Sequence, residues 1–450
     1  MTIYKFFGVI TASLRCFAFA LFFPLLIVVA HQTFADTVYV LDNGNGEVYV
    51  IDTTTNAVTA TVSTGSFPAF VAPTGIAITP DGKFAYVTDQ GNGTVYVINT
   101  VSHAVTAIVS TGSFPAFTAP DQVAITSDGK FAYVTTDDFI VYVISTTTNA
   151  VTTLVSGASF ILTGGVAVTP LGTVAYVTDR GTHEVYAVDT ASNTVTTTVS
   201  TTGFTGFSRP FRVAITPDSA TAYVTDQDNG VYVIDTASNA VTAMVSTGSF
   251  PAFSDPIGVT VTPNGNVSYV AGESSSSVYV INTTTNAVTA TVTNSFIAFS
   301  APVAVATTSD GAILYAADEG SATVYAINTT TNAVTAIVSN TFTPFVGPYG
   351  VASIPIATPL TPKNFRGVQK KITFLSQYEL FNRLTWAANP SAAVVVGYFI
   401  YRDNVKIATL SNTTFVYEDH NRAKGVSTIY SITAFDASGN QSLPSIVRIN

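Results

Sequence analysis

The chain is predicted to be all-β: a seven-bladed β-propeller followed by a β-sandwich. Three observations predict this. A unit of about 46 residues is written seven times, with the VYVID-type segment starting at Val48, Val95, Val141, Val185, Val231, Val278 and Val324. Charged residues make up only 10% of the chain, and aromatic ones 12%. Branched and aromatic side chains fit a pleated surface, whereas the usual surface helix formers Glu, Lys and Gln are scarce.

The first 35 residues differ from the rest. Lys5 and Arg15 precede the apolar run from Phe17 to Ala30, and Thr33-Phe34-Ala35 offers small-residue cleavage before Asp36. That is the three-part layout of a secretory signal, and the run, which contains Pro24, is short for a spanning helix. The expectation is a signal peptide over 1–35 and a secreted, periplasmic or cell-surface protein. An uncleaved leader would be its only hold on a membrane. Cys16, the single cysteine, is lost with the leader, so the mature chain needs no disulfide. Net charge is −10, and removing Lys5 and Arg15 makes it −12. Such an acidic chain is not built to grip a phosphate backbone, so no nucleic-acid partner is expected.

Residues 36–355 carry the repeat. Each unit reads as four antiparallel strands: an apolar run such as GIAIT at Gly75, a TPDGK turn, KFAYVTD, a Gly/Asn turn, TVYVIDT, a TTNAV turn and an alternating outer strand. Four strands at this period are one propeller blade. The mature chain begins at a second strand (Tyr39) and the repeats end on a lone first strand (Gly350 to Ile354). The last strand is thus expected to complete the first blade, which removes exposed edges. The YVTD and VYVIDTTTNAVTATV stretches resemble the YVTN family of β-propellers over roughly residues 36–355. That resemblance implies the fold and a secreted or surface setting, and little about activity.

Residues 356–450 open on a Pro-rich linker and continue in segments that alternate apolar and polar residues, NRLTWAANP through YSITAFDASGNQ. Trp386, the only tryptophan, suits a core anchor, and Tyr430 falls where a tyrosine corner would. This segment resembles a fibronectin type III domain, a module that spaces or binds.

Signs of catalysis are thin. Mature histidines are His103, His183 and His420, none at metal-ligand spacing from another, and no CxxCH, Ser-His-Asp neighbourhood or phosphate loop occurs. The fourth residue of the YVTD marker recurs as Asp42, Asp89, Asp179, Asp226 and Asp318, with Thr136 and Gly272 in the other two units. These carboxylates either accept hydrogen bonds from their own turns or form a cation site. No cofactor is expected. Calcium is the candidate ion, since Asp42 to Glu47 (DNGNGE) has oxygen donors but not a recognised loop spacing. Six of the seven long loops carry paired phenylalanines, Phe204 and Phe207 among them, which either wedge between blades or form an aromatic collar. Arg180, Arg209 and Arg212, joined by His183, break the repeat in the face loops of the fourth and fifth blades and are candidate ligand-binding residues.

The expected function is that of a non-enzymatic interaction or scaffold protein binding a protein or glycan through one propeller face. The alternatives are a metal-assisted, lactonase-like hydrolase or lyase using the Asp residues, and a structural envelope-layer subunit.

Overall fold

The structure is a computed structural model. It describes residues 37–449 apart from 138, 356–361, 375–376, 388–394, 404, 437–441 and 443. The leader, its cleavage site and Cys16 lie outside the described residues.

Among the described residues every regular element is a strand. The first blade joins β1 (Thr37–Asp42), β2 (Glu47–Asp52) and β3 (Ala57–Thr61) to the last strand of the repeat region, β28 (Pro348–Ser353), in the order β28-β1-β2-β3. β28 runs antiparallel to β1 with Val40 opposite Val351, so the chain's two ends of the repeat close one blade. Six further four-stranded sheets complete the ring. Their innermost strands are β4 (Pro73–Ile78), β8 (Pro120–Ile125), β12 (Thr163–Val168), β16 (Pro210–Ile215), β20 (Pro256–Val261) and β24 (Pro302–Thr307). With β28 these seven strands pack around the axis.

The burial pattern explains the sequence of each strand. The second and third strands lie between neighbouring blades and are buried on both faces, as in FAYVTD and TVYVIN. Their apolar residues therefore run without alternation. The innermost strands approach so closely that several positions admit no side chain. A Cβ on Gly75 would sit 2.4 Å from the Asp121 carbonyl oxygen, and one on Gly165 would sit 2.7 Å from that of Phe211.

Two devices tie blade to blade. The marker tyrosine of each blade reaches a turn of the next: Tyr86 donates to Asn149 Oδ1 at 2.5 Å, Tyr223 to Asn286 at 2.6 Å, and Tyr315 closes the ring on Asn56 at 2.6 Å. Those asparagines hold left-handed backbone, φ 51° at Asn56, Asn149 and Asn286, a conformation Asn tolerates better than most residues. The Asn of each TTNAV turn thus shapes the turn and accepts the neighbour's hydroxyl. The second device is a belt of backbone bonds between outer strands: Val105 N–H donates to the Ser63 carbonyl at 2.8 Å, and Val58 N–H to Ser339 at 2.8 Å where the ring closes.

One link departs from the pattern. Tyr39 meets His103 Nδ1 at 2.8 Å, with His103 at φ 50°. Burial holds the imidazole pKa below its ordinary value, which keeps the ring neutral beside the hydroxyl. His103→Asn restores the residue used in the other six links. It is expected to raise the denaturant midpoint by the equivalent of about 0.5 kcal/mol, as repeat-consensus substitutions do; a fall would mean that the imidazole makes a contact the amide cannot.

The second domain is a sandwich of two sheets. One holds β29 (Arg366–Phe374), β30 (Gln377–Thr385) and β33 (Val416–Asp419); the other orders β32 (Val405–Ser411), β31 (Val395–Arg402), β34 (Thr428–Asp436) and β35 (Ser445–Ile449). Leu384, Trp386, Tyr398, Ile400, Tyr430 and Ile432 fill the space between them. Trp386 is 5% exposed and meets Tyr398 edge-on at 5.5 Å, so it anchors the core as its sequence context suggested. The Tyr430 hydroxyl donates to the Asp419 carboxylate at 2.5 Å, a side chain 11 residues upstream, which Arg402 also holds at 3.0 Å. Tyr430→Phe leaves Asp419 buried with one donor fewer and is expected to cost about 1–2 kcal/mol. Because Trp386 is the chain's only tryptophan, its fluorescence follows this domain separately from the propeller. An unchanged fluorescence midpoint would show that the hydroxyl contributes nothing.

Candidate functional site

The loops between blades and the turns after the YVTD markers share one face of the propeller, because the marker carboxylates stitch them together. Asp89 accepts from the backbone N–H of Val71 and Ala72 in the incoming loop, at 2.8 and 3.0 Å, and from Asn92 in its own turn at 3.1 Å. Asp179 does the same with Ile161, Leu162, Gly181 and Thr182, all within 3.1 Å. Asp42, Asp226 and Asp318 repeat the pattern. All five carboxylates are completely buried. Charge-assisted bonds from several N–H groups fill their acceptor sites. They stand one per blade around the ring and are not gathered on a common point. Among the described residues no group of three or more His, Cys, Asp or Glu is placed to hold a metal. The cation site considered from sequence is therefore not assembled by these residues; each carboxylate organises its own loop.

The paired phenylalanines divide their work. The second of each pair packs on its own blade's third-strand tyrosine: Phe70 on Tyr96 and Phe207 on Tyr232, both with centroids at 4.6 Å. In the loop without a pair, Phe160 takes that place against Tyr186 at 5.2 Å. The first phenylalanine is half-buried against the core at Phe67, Phe114 and Phe250, and turns to solvent at Phe204, Phe296 and Phe342, which are 37%, 51% and 51% exposed. Of the two predicted ligand contacts, Phe207 belongs to the core and Phe204 to the surface.

The four basic candidates separate as well. Arg209 faces Asp228 at 3.5 Å and is half exposed, and the His183 ring meets the Ser208 carbonyl. Neither lines a cavity on the axis. Arg180 and Arg212 do converge there, on the same ring: their guanidinium carbons lie 4.8 and 4.3 Å from the Phe211 centroid. Arg212 crosses the channel to Asp121, giving 2.8 and 3.1 Å bonds to its two oxygens. Arg180 faces Asp137 at 3.5 Å, whose other oxygen accepts from Gln90 at 3.0 Å.

These contacts define the mouth of the axial channel. Its upper ring is the residue after each marker: Asn43, Gln90, Asp137, Arg180, Gln227, Glu273 and Glu319. Each is fixed by its backbone N–H to the neighbouring loop, as Arg180 to the Leu162 carbonyl at 2.9 Å. The ring below holds the second residue of each innermost strand, from Thr74 and Asp121 to Phe211 and Tyr349. A cavity of about 230 Å3 lies among Asn43, Gln90, Asp137, Arg180, Phe211, Glu319 and Tyr349. A second, of about 150 Å3, continues down the channel past Arg212. Phe211, Ile257 and Val303 form the apolar side of this mouth, with Tyr349 packed against them.

The electrostatics follow from the packing. Burial, then Asp121, raise the Asp137 carboxyl above its ordinary pKa against the pull of Arg180. Burial, then Asp255 and Glu319, raise Glu273. Burial opposes the charge on Arg212, but Asp121 and the Tyr349 hydroxyl outweigh it, and its pKa is raised. Asp121, Asp137, Phe211, Glu319 and Tyr349 were not singled out from sequence. Their signal was present as breaks in the repeat: Asp121, Phe211 and Tyr349 occupy a column that is Thr74, Gly164, Ile257 or Val303 elsewhere.

Fold and site together define a β-propeller protein with a polar, aromatic-floored axial mouth. No protein-family model matches the chain, and no curated protein matches it. Solved structures do: 1311 chains match. One is a chain of Kuenenia stuttgartiensis hydrazine synthase, 19% identical, with a TM-score of 0.53, covering 64% of this chain and 91% of that one. At that identity the likeness speaks for the fold alone.

Proposed function

We propose that this is an exported, non-enzymatic interaction protein that binds a protein or glycan through the loop face of its propeller, with the sandwich as spacer or second contact. The observation that carries the reading is the apolar rim on that face. Phe204, Phe296 and Phe342 project from the loops, and Phe139 stands 60% exposed on left-handed backbone, φ 71°, in the third blade's turn. A bulky residue in that conformation is costly, and such strain clusters at functional sites. Exposed apolar side chains sharing a face mark partner sites, with aromatic ones the usual anchors. The leader supports export, and the YVTD and VYVID motifs support a YVTN-type propeller. The three-plus-four division of the sandwich sheets supports the fibronectin type III reading.

The test is capture from envelope extract and on a glycan panel by the chain lacking residues 1–35, beside a variant carrying Phe139→Ser, Phe204→Ser, Phe296→Ser and Phe342→Ser. Saturable binding of a defined partner, weakened at least tenfold in the variant at unchanged stability, is expected; each aromatic anchor contributes on the order of 1–2 kcal/mol. Equal binding by both proteins would move the site off this rim.

A further inference from the structure

We infer that the axial mouth is a binding site for a small zwitterion of the amino-acid class, a molecule carrying one ammonium and one carboxylate group. This goes beyond the macromolecular reading above, since the site lies on the axis and not on the rim.

Several polar groups at the mouth are already paired. Asp121 uses both oxygens on Arg212, and Asp137 uses its two on Arg180 and Gln90. Of the charged groups lining the first cavity, two keep free capacity. Arg180 Nε is buried with no acceptor although the guanidinium faces Asp137, and leaving one of its N–H groups buried without an acceptor is costly. The Glu319 side chain, exposed on the upper ring, receives no hydrogen bond from any described residue. Arg180 belongs to the blade of β12 and Glu319 to that of β24, three blades apart in a ring of seven, so they face each other across the opening.

Charge decides the ligand. Asp121, Asp137 and Glu319 stand against Arg180 and Arg212 around the two cavities, three negative groups to two positive. A simple anion would satisfy Arg180 but meet a net negative mouth. A simple cation would suit that field and leave Arg180 Nε unpaired. A zwitterion answers both, its carboxylate on Arg180 and its ammonium toward Glu319. Size agrees: about 230 Å3 is below the roughly 300–1,000 Å3 typical of pockets for drug-sized ligands. The site is also held ready. Phe211 carries the Arg180 guanidinium on its ring, which fixes the donor before a ligand arrives.

The experiment is calorimetric titration of the purified chain with each of the twenty common amino acids. The tightest binder is then compared with its N-acetyl form, which keeps only the carboxylate, and its amide, which keeps only the ammonium. Expected is saturable binding of at least one free amino acid, with each capped form at least tenfold weaker. Glu319→Gln, at an exposed position, should weaken the free amino acid and its amide and leave the N-acetyl form unchanged. Arg180→Lys should lower affinity for the free amino acid while keeping the charge. No saturable heat with any amino acid up to ~10 mM would overturn the inference. So would equal binding of either capped form, or affinities untouched by both variants. Because the rim and mouth variants share no residue, failure here leaves the rim reading standing, and the reverse holds too.

Discussion

Replacing Arg212 with methionine is expected to destabilise the propeller by about 3–5 kcal/mol, the range for removing one partner of a buried ion pair. The pair is the best buried of the described ion pairs: the side chains are 12% and 8% exposed, and Asp121 is gripped through both oxygens. It links β16 to β8 over the intervening β12, whose Gly164 and Gly165 carry no side chain to obstruct the crossing. Methionine fills part of the space but strands Asp121 in the channel. The double variant, Arg212→Met with Asp121→Asn, removes the stranded charge and should recover most of the loss, because well-packed neutral replacements of buried pairs are often close to neutral in stability. Denaturation followed by far-ultraviolet circular dichroism reads the propeller, while Trp386 fluorescence reports the sandwich as an internal control. A loss below about 1 kcal/mol in the single variant would mean that water already solvates Asp121, and the pair would then be a feature of the ligand site and not of the fold.

The contrast between what the sequence showed and what it hid is physical. Blade number, closure and strand order were legible because they rest on local chemistry repeated seven times: the turn asparagines at positive φ, the two-sided burial of YVTD and VYVID, and the small residues at the axis. The mouth was half legible. Arg180 and Arg212 stand out in the sequence as breaks in the repeat and candidate ligand contacts, but nothing there shows the carboxylates that hold them. Their partners Asp137 and Asp121 lie 43 and 91 residues away, and no local pattern announces a pairing at that distance. Arg209 and His183 carried the same signal yet point to other partners, Asp228 and Ser208. The phenylalanine pairs failed to resolve for a related reason. Phe207 is buried because it packs on Tyr232, 25 residues further along the chain, while Phe204 in the same loop stays 37% exposed, and loop composition does not distinguish the two.

The five marker aspartates yield the second large effect. Asp179→Ala removes a fully buried carboxylate that accepts four backbone N–H bonds. At about 1–3 kcal/mol for each buried donor left unpaired, less what water entering the loop recovers, the expected loss is about 3–6 kcal/mol. Asp179→Asn keeps one accepting oxygen and should lose clearly less. The repeat contains its own control. Where the third blade has Thr136 the turn is rebuilt, with the Thr136 hydroxyl donating to the Ile140 carbonyl at 2.7 Å. Where the sixth has Gly272, Ser275 donates to the Gly272 carbonyl at 3.1 Å. Those blades changed their turns along with the residue, so a single substitution in an unchanged turn should cost more than the natural variation suggests. If the carboxylates serve the loops, neither calcium nor a chelator will move the unfolding midpoint of the unsubstituted chain. A midpoint raised by calcium, and abolished as a calcium response in Asp179→Ala, would instead return these residues to the role of ion ligands, since a ligand that binds only the folded state must stabilise it.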